Sequence, residues 1–185
     1  MSINQTKLEA MRRLQEEYKE LSRRPLPNFG IVIQLVDEDN LFEWKSTLLG
    51  PKDTCYKGGL FHLRIRFPDN YPNSRPEIFF ETPIYHLNVK YFVEGSQPLG
   101  HINYSNLNDW RKEYRMSRIL PEIAYLLGKS NPECAYDDAN NTRRNEFINN
   151  RALFEEKAKY FTKKYANPLR AGKIFTTDWD FSYNK

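Results

Sequence analysis

The chain has 185 residues, with 28 Lys and Arg against 24 Asp and Glu, an apolar share of 39% and an aromatic share of 15%. That length fits one domain with a sizeable core, and twelve Tyr, twelve Phe and three Trp exclude a disordered chain of low hydrophobicity. A net charge of +4 does not by itself indicate nucleic acid, the two cysteines Cys55 and Cys134 make no disulfide scaffold or metal-ligand spacing, and no apolar run approaches the roughly 20 residues of a membrane span.

At the N-terminus, Leu8, Met11, Leu14, Tyr18 and Leu21 recur at three- and four-residue spacing and predict an amphipathic helix. Thr6 with Glu9 fits a capping box at its start, and Pro25 and Pro27 stop it. The segment is charged, with four Glu, and has the character of neither a secretory signal nor a mitochondrial presequence. An intracellular, cytoplasmic protein is the expectation.

Four strands are predicted next. They are 29–36, which is β-branched and apolar, then 41–49, 60–67 and 77–82. In the second, Phe42, Trp44, Ser46 and Leu48 share one face; in the third, Phe61, Leu63, Ile65 and Phe67 do, with His62, Arg64 and Arg66 opposite. Short links between strands indicate an antiparallel meander. Gly58 and Gly59 let the loop before the third strand turn sharply.

Residues 84–110 read as a long irregular segment, and a loop of that length in a compact domain is usually functional. Met116, Ile119, Leu120, Ile123, Ala124, Leu126 and Leu127 then describe a buried helix. A second, basic helix is expected over 141–166, with Leu153, Phe154, Lys157, Ala158, Phe161 and Tyr165 inward. The stretch 143–173 carries nine Lys and Arg against three Glu, which suits a solvated or protein-facing helix better than a nucleic-acid site. Beyond Asn167 the tail is rich in aromatics.

The co-linear series LEAMRRLQEEYKEL, Trp44, LLGPKDTCYKGGLF, FPDNYPNSRPEIFFETPIYHLN, LLGKSNPE and YFTKKYA resembles the ubiquitin-conjugating enzyme family from Lys7 to Ala166. The resemblance implies an α+β fold: an N-terminal helix, a four-stranded antiparallel meander and C-terminal helices. It divides the chain into a domain over 1–166 and an aromatic-rich extension over 167–185.

Enzymes of that family carry ubiquitin or a related modifier as a thioester on a cysteine within Gly-x-Ile-Cys, after a His-Pro-Asn triplet. The chemistry needs a thiolate, which both attacks and leaves. Here the triplet reads His86-Leu87-Asn88, and the later element reads Gly100-His101-Ile102-Asn103. Asn103 therefore stands at the nucleophile position, and an amide forms no thioester. The intervening segment KYFVEGSQPL is longer than in the family, and Tyr104, one residue on, is no better. The family's acidic residue beyond Asn-Pro has Cys134 near its place, with Glu133 and Asp137 shifted. At the ligase-docking surface, His62 stands for the expected aromatic, and Arg111, Lys112 and Glu113 follow Trp110.

The expectation is a pseudoenzyme without cofactor or metal, in which His86, Asn88, Asn103 and Cys134 are degenerate active-site positions. His86 and Asn88 are then loop-stabilising residues. Cys134 is the rival nucleophile, although no neighbouring His or Lys in the sequence would lower its pKa. His62 and His101 lack further zinc ligands. Phe175, Trp179, Phe181 and Tyr183 are candidates for partner binding, because aromatics dominate interface hot spots. Protein partners in a multi-subunit complex are expected, with ubiquitin or an active conjugating enzyme among the alternatives.

Overall fold

The computed structural model describes residues 2–94, 97–103, 105–135 and 142–168. Helix α1 (Ser2–Arg23) leads into a six-stranded sheet, β1 (Ile33–Asp37), β2 (Asn40–Leu49), β3 (Leu60–Arg66), β4 (Glu77–Phe80), β5 (Val89–Glu94) and β6 (Gln97–Ile102). Helices α2 (Ser105–Asn108), α3 (Met116–Gly128), α4 (Thr142–Asn149) and α5 (Arg151–Tyr165) follow. The strand order is β1-β2-β3-β4-β6-β5, and every pairing is antiparallel. The architecture is α+β, as expected.

Alternation in the strands sets the core. Trp44, Ser46 and Leu48 of β2 and Phe61, Leu63 and Ile65 of β3 are buried on one face. Trp44 is fully enclosed, edge-on to Tyr18 at 5.5 Å between ring centroids and to Phe67 at 4.7 Å. Each such side chain contributes about 1.5–3 kcal/mol of burial, and this cluster holds α1 against the sheet. The opposite face carries ion pairs across neighbouring strands: Arg64 reaches Glu43 at 3.1 Å and Glu81 at 2.6 Å, and Arg66 reaches Glu43 at 3.3 Å.

Several boundaries differ from the expectation. Helix α1 begins at Ser2, so Thr6 lies inside it and does not cap it. Its buried line is Ala10, Leu14, Glu17 and Leu21, while Leu8 is exposed. Glu17 is tolerated there because it is saturated: it pairs with Arg13 and accepts from the Tyr71 hydroxyl at 2.9 Å and the Met116 N–H at 2.7 Å. A 3-10 turn over Pro27–Phe29 precedes β1, and Gly30 has φ +62°, so the first strand starts at Ile33 and not at 29.

The four-stranded meander is extended by a hairpin. Residues 89–94 and 97–102, expected to be irregular, form β5 and β6, and β6 joins the sheet through Phe79 opposite His101 and Phe80 opposite Gly100. The basic helix expected over 141–166 is two helices. Asn150 interrupts it, and its side chain accepts from the Leu153 N–H as the cap of α5.

The α4–α5 junction encloses a second buried charge. Lys157 Nζ lies 2.6 Å from Glu146 Oε1, and Glu146 Oε2 accepts from the Tyr85 hydroxyl at 2.6 Å. This pair fastens both C-terminal helices to the chain just before the 86–88 triplet.

Candidate functional site

The hairpin decides the geometry of the site. It leaves β4 and the 84–88 segment, and β6 returns so that the Asn103 N–H donates to the Asn88 carbonyl at 2.9 Å. The longer intervening segment thus brings residue 103 back beside the triplet. Asn103 is half-buried, and its Oδ1 accepts from Asn108 Nδ2 at 2.8 Å. Asn108 Oδ1 in turn accepts from Arg75 at 3.2 Å. The side chain at this position is a neutral amide within a polar chain of contacts.

Asn88 is fully buried. Its Nδ2 donates to the Asn131 carbonyl at 2.7 Å, and its Oδ1 accepts from the Asn131 N–H at 2.9 Å. Both polar ends of the side chain are therefore spent on one backbone unit, clamping the triplet to the turn after α3.

His86 is also buried. Its Nδ1 accepts from the Asn88 N–H at 3.0 Å, so the proton rests on Nε2, which lies 3.1 Å from both the Leu126 carbonyl and Ser130 Oγ. Burial, with lesser effects of Arg143 and Arg151, lowers its pKa to about 4, against the hydrogen bond to Leu126. At neutral pH the ring is uncharged and both nitrogens are occupied. It staples the triplet to α3 and has no free lone pair for a general base. Leu87, in place of the family's proline, is buried in the core. Arg143 of α4 donates to the carbonyls of His86 and Val89.

Cys134 ends the 3-10 turn Pro132–Cys134, whose cap is Asn131, the residue clamped by Asn88. Its backbone thus belongs to the same corner as the triplet. Cys55 sits in the loop before β3, half-buried, and burial raises its pKa, which keeps it a thiol. Asp137, Phe175, Trp179, Phe181 and Tyr183 lie outside the described residues, as do Tyr104 and the 169–185 part of the extension.

His62, at the position of the family's docking aromatic, lies in the middle of β3 opposite Thr47, and its Nε2 is shielded without a hydrogen-bond partner among the described residues. Trp110 lies elsewhere, donating from Nε1 to the Pro72 carbonyl at 2.7 Å and tilted against Tyr71. No group of three metal-ligating side chains occurs among the described residues. No described helix is long and apolar enough to cross a membrane.

The residues that sequence reasoning missed are Arg143, Ser130 and Asn131. They act through backbone and second-layer contacts, for which a single sequence carries no local signal.

The arrangement of strands, triplet and turn agrees with comparison to known proteins. The ubiquitin-conjugating enzyme family profile matches residues 13–162. The chain is 35% identical over 155 residues to Ubiquitin-conjugating enzyme E2 14 of Schizosaccharomyces pombe, covering 84% of this chain and 93% of that protein. It is 33% identical over 160 residues to Ubiquitin-conjugating enzyme E2 13 of Arabidopsis thaliana, covering 82% and 92% respectively. A helix-first antiparallel sheet, a His-x-Asn triplet pinned to the helix behind it, and similarity along nearly the whole domain together make this chain a member of the ubiquitin-conjugating enzyme family.

Proposed function

We propose that the protein is a non-catalytic member of the family that serves as an interaction or structural subunit of a larger assembly. The observation that carries this reading is Asn103. It meets the backbone of Asn88 where the nucleophile is expected, and its side chain is an amide. His86 and Asn88 are spent on holding the loop, which is the use left to them when no thioester forms. Within this reading, a structural subunit is favoured over a regulator of an active conjugating enzyme. The C-terminal helices α4 and α5 are kept and are locked on by the Glu146–Lys157 pair, whereas regulatory variants of the family often lack them.

The alternative is an active conjugating enzyme that has moved its nucleophile to Cys134. The Asn88–Asn131 clamp favours it to this extent, because it ties the turn containing Cys134 to the triplet. Incubation with activating enzyme, ATP and ubiquitin, followed by electrophoresis without reductant, separates the two. The expected result is no reducible adduct. An adduct that disappears in Cys134→Ser overturns the non-catalytic reading.

The assembly surface is assigned to the tail, from Phe175 to Tyr183. A fully buried aromatic contributes roughly 2–3 kcal/mol, so Trp179→Ala with Phe181→Ala is expected to weaken retention in the native complex by about a hundredfold or more if the two losses add. The melting temperature of the isolated domain should stay unchanged. A large fall in melting temperature with association intact would assign the tail to the domain's own core.

A further inference from the structure

A cavity of about 490 Å³ opens between the loop before β3 and the C-terminal half of α5, at the end of the domain that carries Cys55. Lys57, Lys159 and Lys163 line it, together with Thr54, Cys55 and Gly58, and no carboxylate does. Lys159 and Lys163 are one turn apart on α5. Like charges at that spacing destabilise a helix by a few tenths of a kcal/mol. None of the three lysines has an acidic partner among the described residues.

The neighbouring cavity, of about 250 Å³, makes the contrast. It shares Thr54, Cys55 and Lys159, but its Lys52 and Arg151 are matched by Asp53 and Glu155. There Arg151 is neutralised by Glu155 at 3.0 Å. With Lys159 shared by both, the smaller cavity has one cation in excess and the larger has three.

The other donors set the kind of ligand. The Thr54 hydroxyl donates to the Pro51 carbonyl and accepts from the Tyr56 N–H, and the Thr162 hydroxyl donates to the Ala158 carbonyl. Asn167 also lines the cavity, and the charge of a ligand is met by the ammonium groups, with the N–H of Gly58 beside them. That glycine has φ +78°, with open space where a Cβ would stand, and no described group accepts from its N–H. Lysines bind phosphate as point charges, without the fork that selects planar carboxylates, and a backbone N–H at a left-handed turn is a common companion. The volume exceeds a single ion and lies within the range of small-molecule sites. Among the described residues these three lysines surround one concavity, whereas a nucleic-acid backbone needs charge along an extended track.

We propose that this cavity binds a small ligand carrying two or more phosphate groups, held by Lys57, Lys159 and Lys163. Inorganic tripolyphosphate, titrated into the isotope-labelled full-length chain near physiological ionic strength, is the probe. The expected result is saturable movement of the amide signals of Gly58, Thr54, Lys159 and Thr162. Lys159→Gln with Lys163→Gln should weaken binding by about tenfold or more. Lys19→Gln with Lys129→Gln, which alters exposed lysines away from the cavity, should leave it unchanged. Because all four lysines are exposed, the same spectra will report that both variants are folded. Absence of saturation, or equal weakening in the two variants, overturns the site. A glutamate-rich peptide that moves the same signals at lower concentration than tripolyphosphate also overturns it, in favour of an acidic protein partner.

Discussion

Lys157→Met lowers folding stability by about 3–5 kcal/mol, the cost expected when one member of a buried ion pair is removed. The side chains of Lys157 and Glu146 are each only 11% exposed and lie 2.6 Å apart. Removing the ammonium leaves a carboxylate whose remaining donor among the described residues is the Tyr85 hydroxyl, in a place that water cannot fully reach. For a chain of this size the loss corresponds to a fall in melting temperature of roughly 10 °C. Methionine keeps most of the volume, so the effect is one of charge and not of packing. The double variant Lys157→Met with Glu146→Gln should recover part of the loss, since the stranded charge is then gone. A change below about 1 kcal/mol in the single variant would show that the pair does not hold α4 and α5 to the domain.

The second large effect is a pH dependence centred on His86. Its folded pKa, about 4, lies below the ordinary value of 6.5. The unfolded chain thus binds a proton that the folded chain refuses. Stability from this group is fully present above about pH 6.5 and is lost as pH falls towards 4. The difference between the two values amounts to about 3 kcal/mol over the whole window. Protonation would also aim a new N–H at the Asn88 N–H, breaking the hydrogen bond that orients the triplet. His86→Gln should be less stable at pH 7 but should flatten the curve between pH 7 and 5, where few carboxylates titrate. Parallel curves for the two proteins would mean that His86 is not the buried neutral group described here.

The parts legible in the sequence were those where side-chain period and burial coincide. Trp44, Ser46 and Leu48, then Phe61, Leu63 and Ile65, alternate because one face of the sheet is covered, and α3 shows its buried positions from Met116 to Leu127. The additional hairpin was concealed by Pro98 in β6, which argues against a strand. The break in the basic helix was concealed because Asn149 and Asn150 interrupt no apolar stripe, although Asn150 is a good cap.

Buried charges were the least legible feature. Glu17 and Glu146 read as surface residues by type. Their saturation depends on partners distant in the chain, Tyr71 and Met116 lying 54 and 99 positions from Glu17. At the site, the sequence identified His86, Asn88 and Asn103 as a set, and the structure brings them together through the Asn88 carbonyl and N–H. What the sequence could not supply was the clamp onto Asn131, which depends on where α3 ends.

The non-catalytic reading is tested most directly by the intact mass of the full-length protein. It is measured under acidic, non-reducing conditions after incubation with activating enzyme, ATP and ubiquitin, with a competent conjugating enzyme in a parallel reaction. The predicted result is an unchanged mass for this chain while the competent enzyme gains one ubiquitin. A thiol-sensitive gain of one ubiquitin on the wild-type chain, abolished in Cys134→Ser, would contradict the account and make Cys134 the nucleophile.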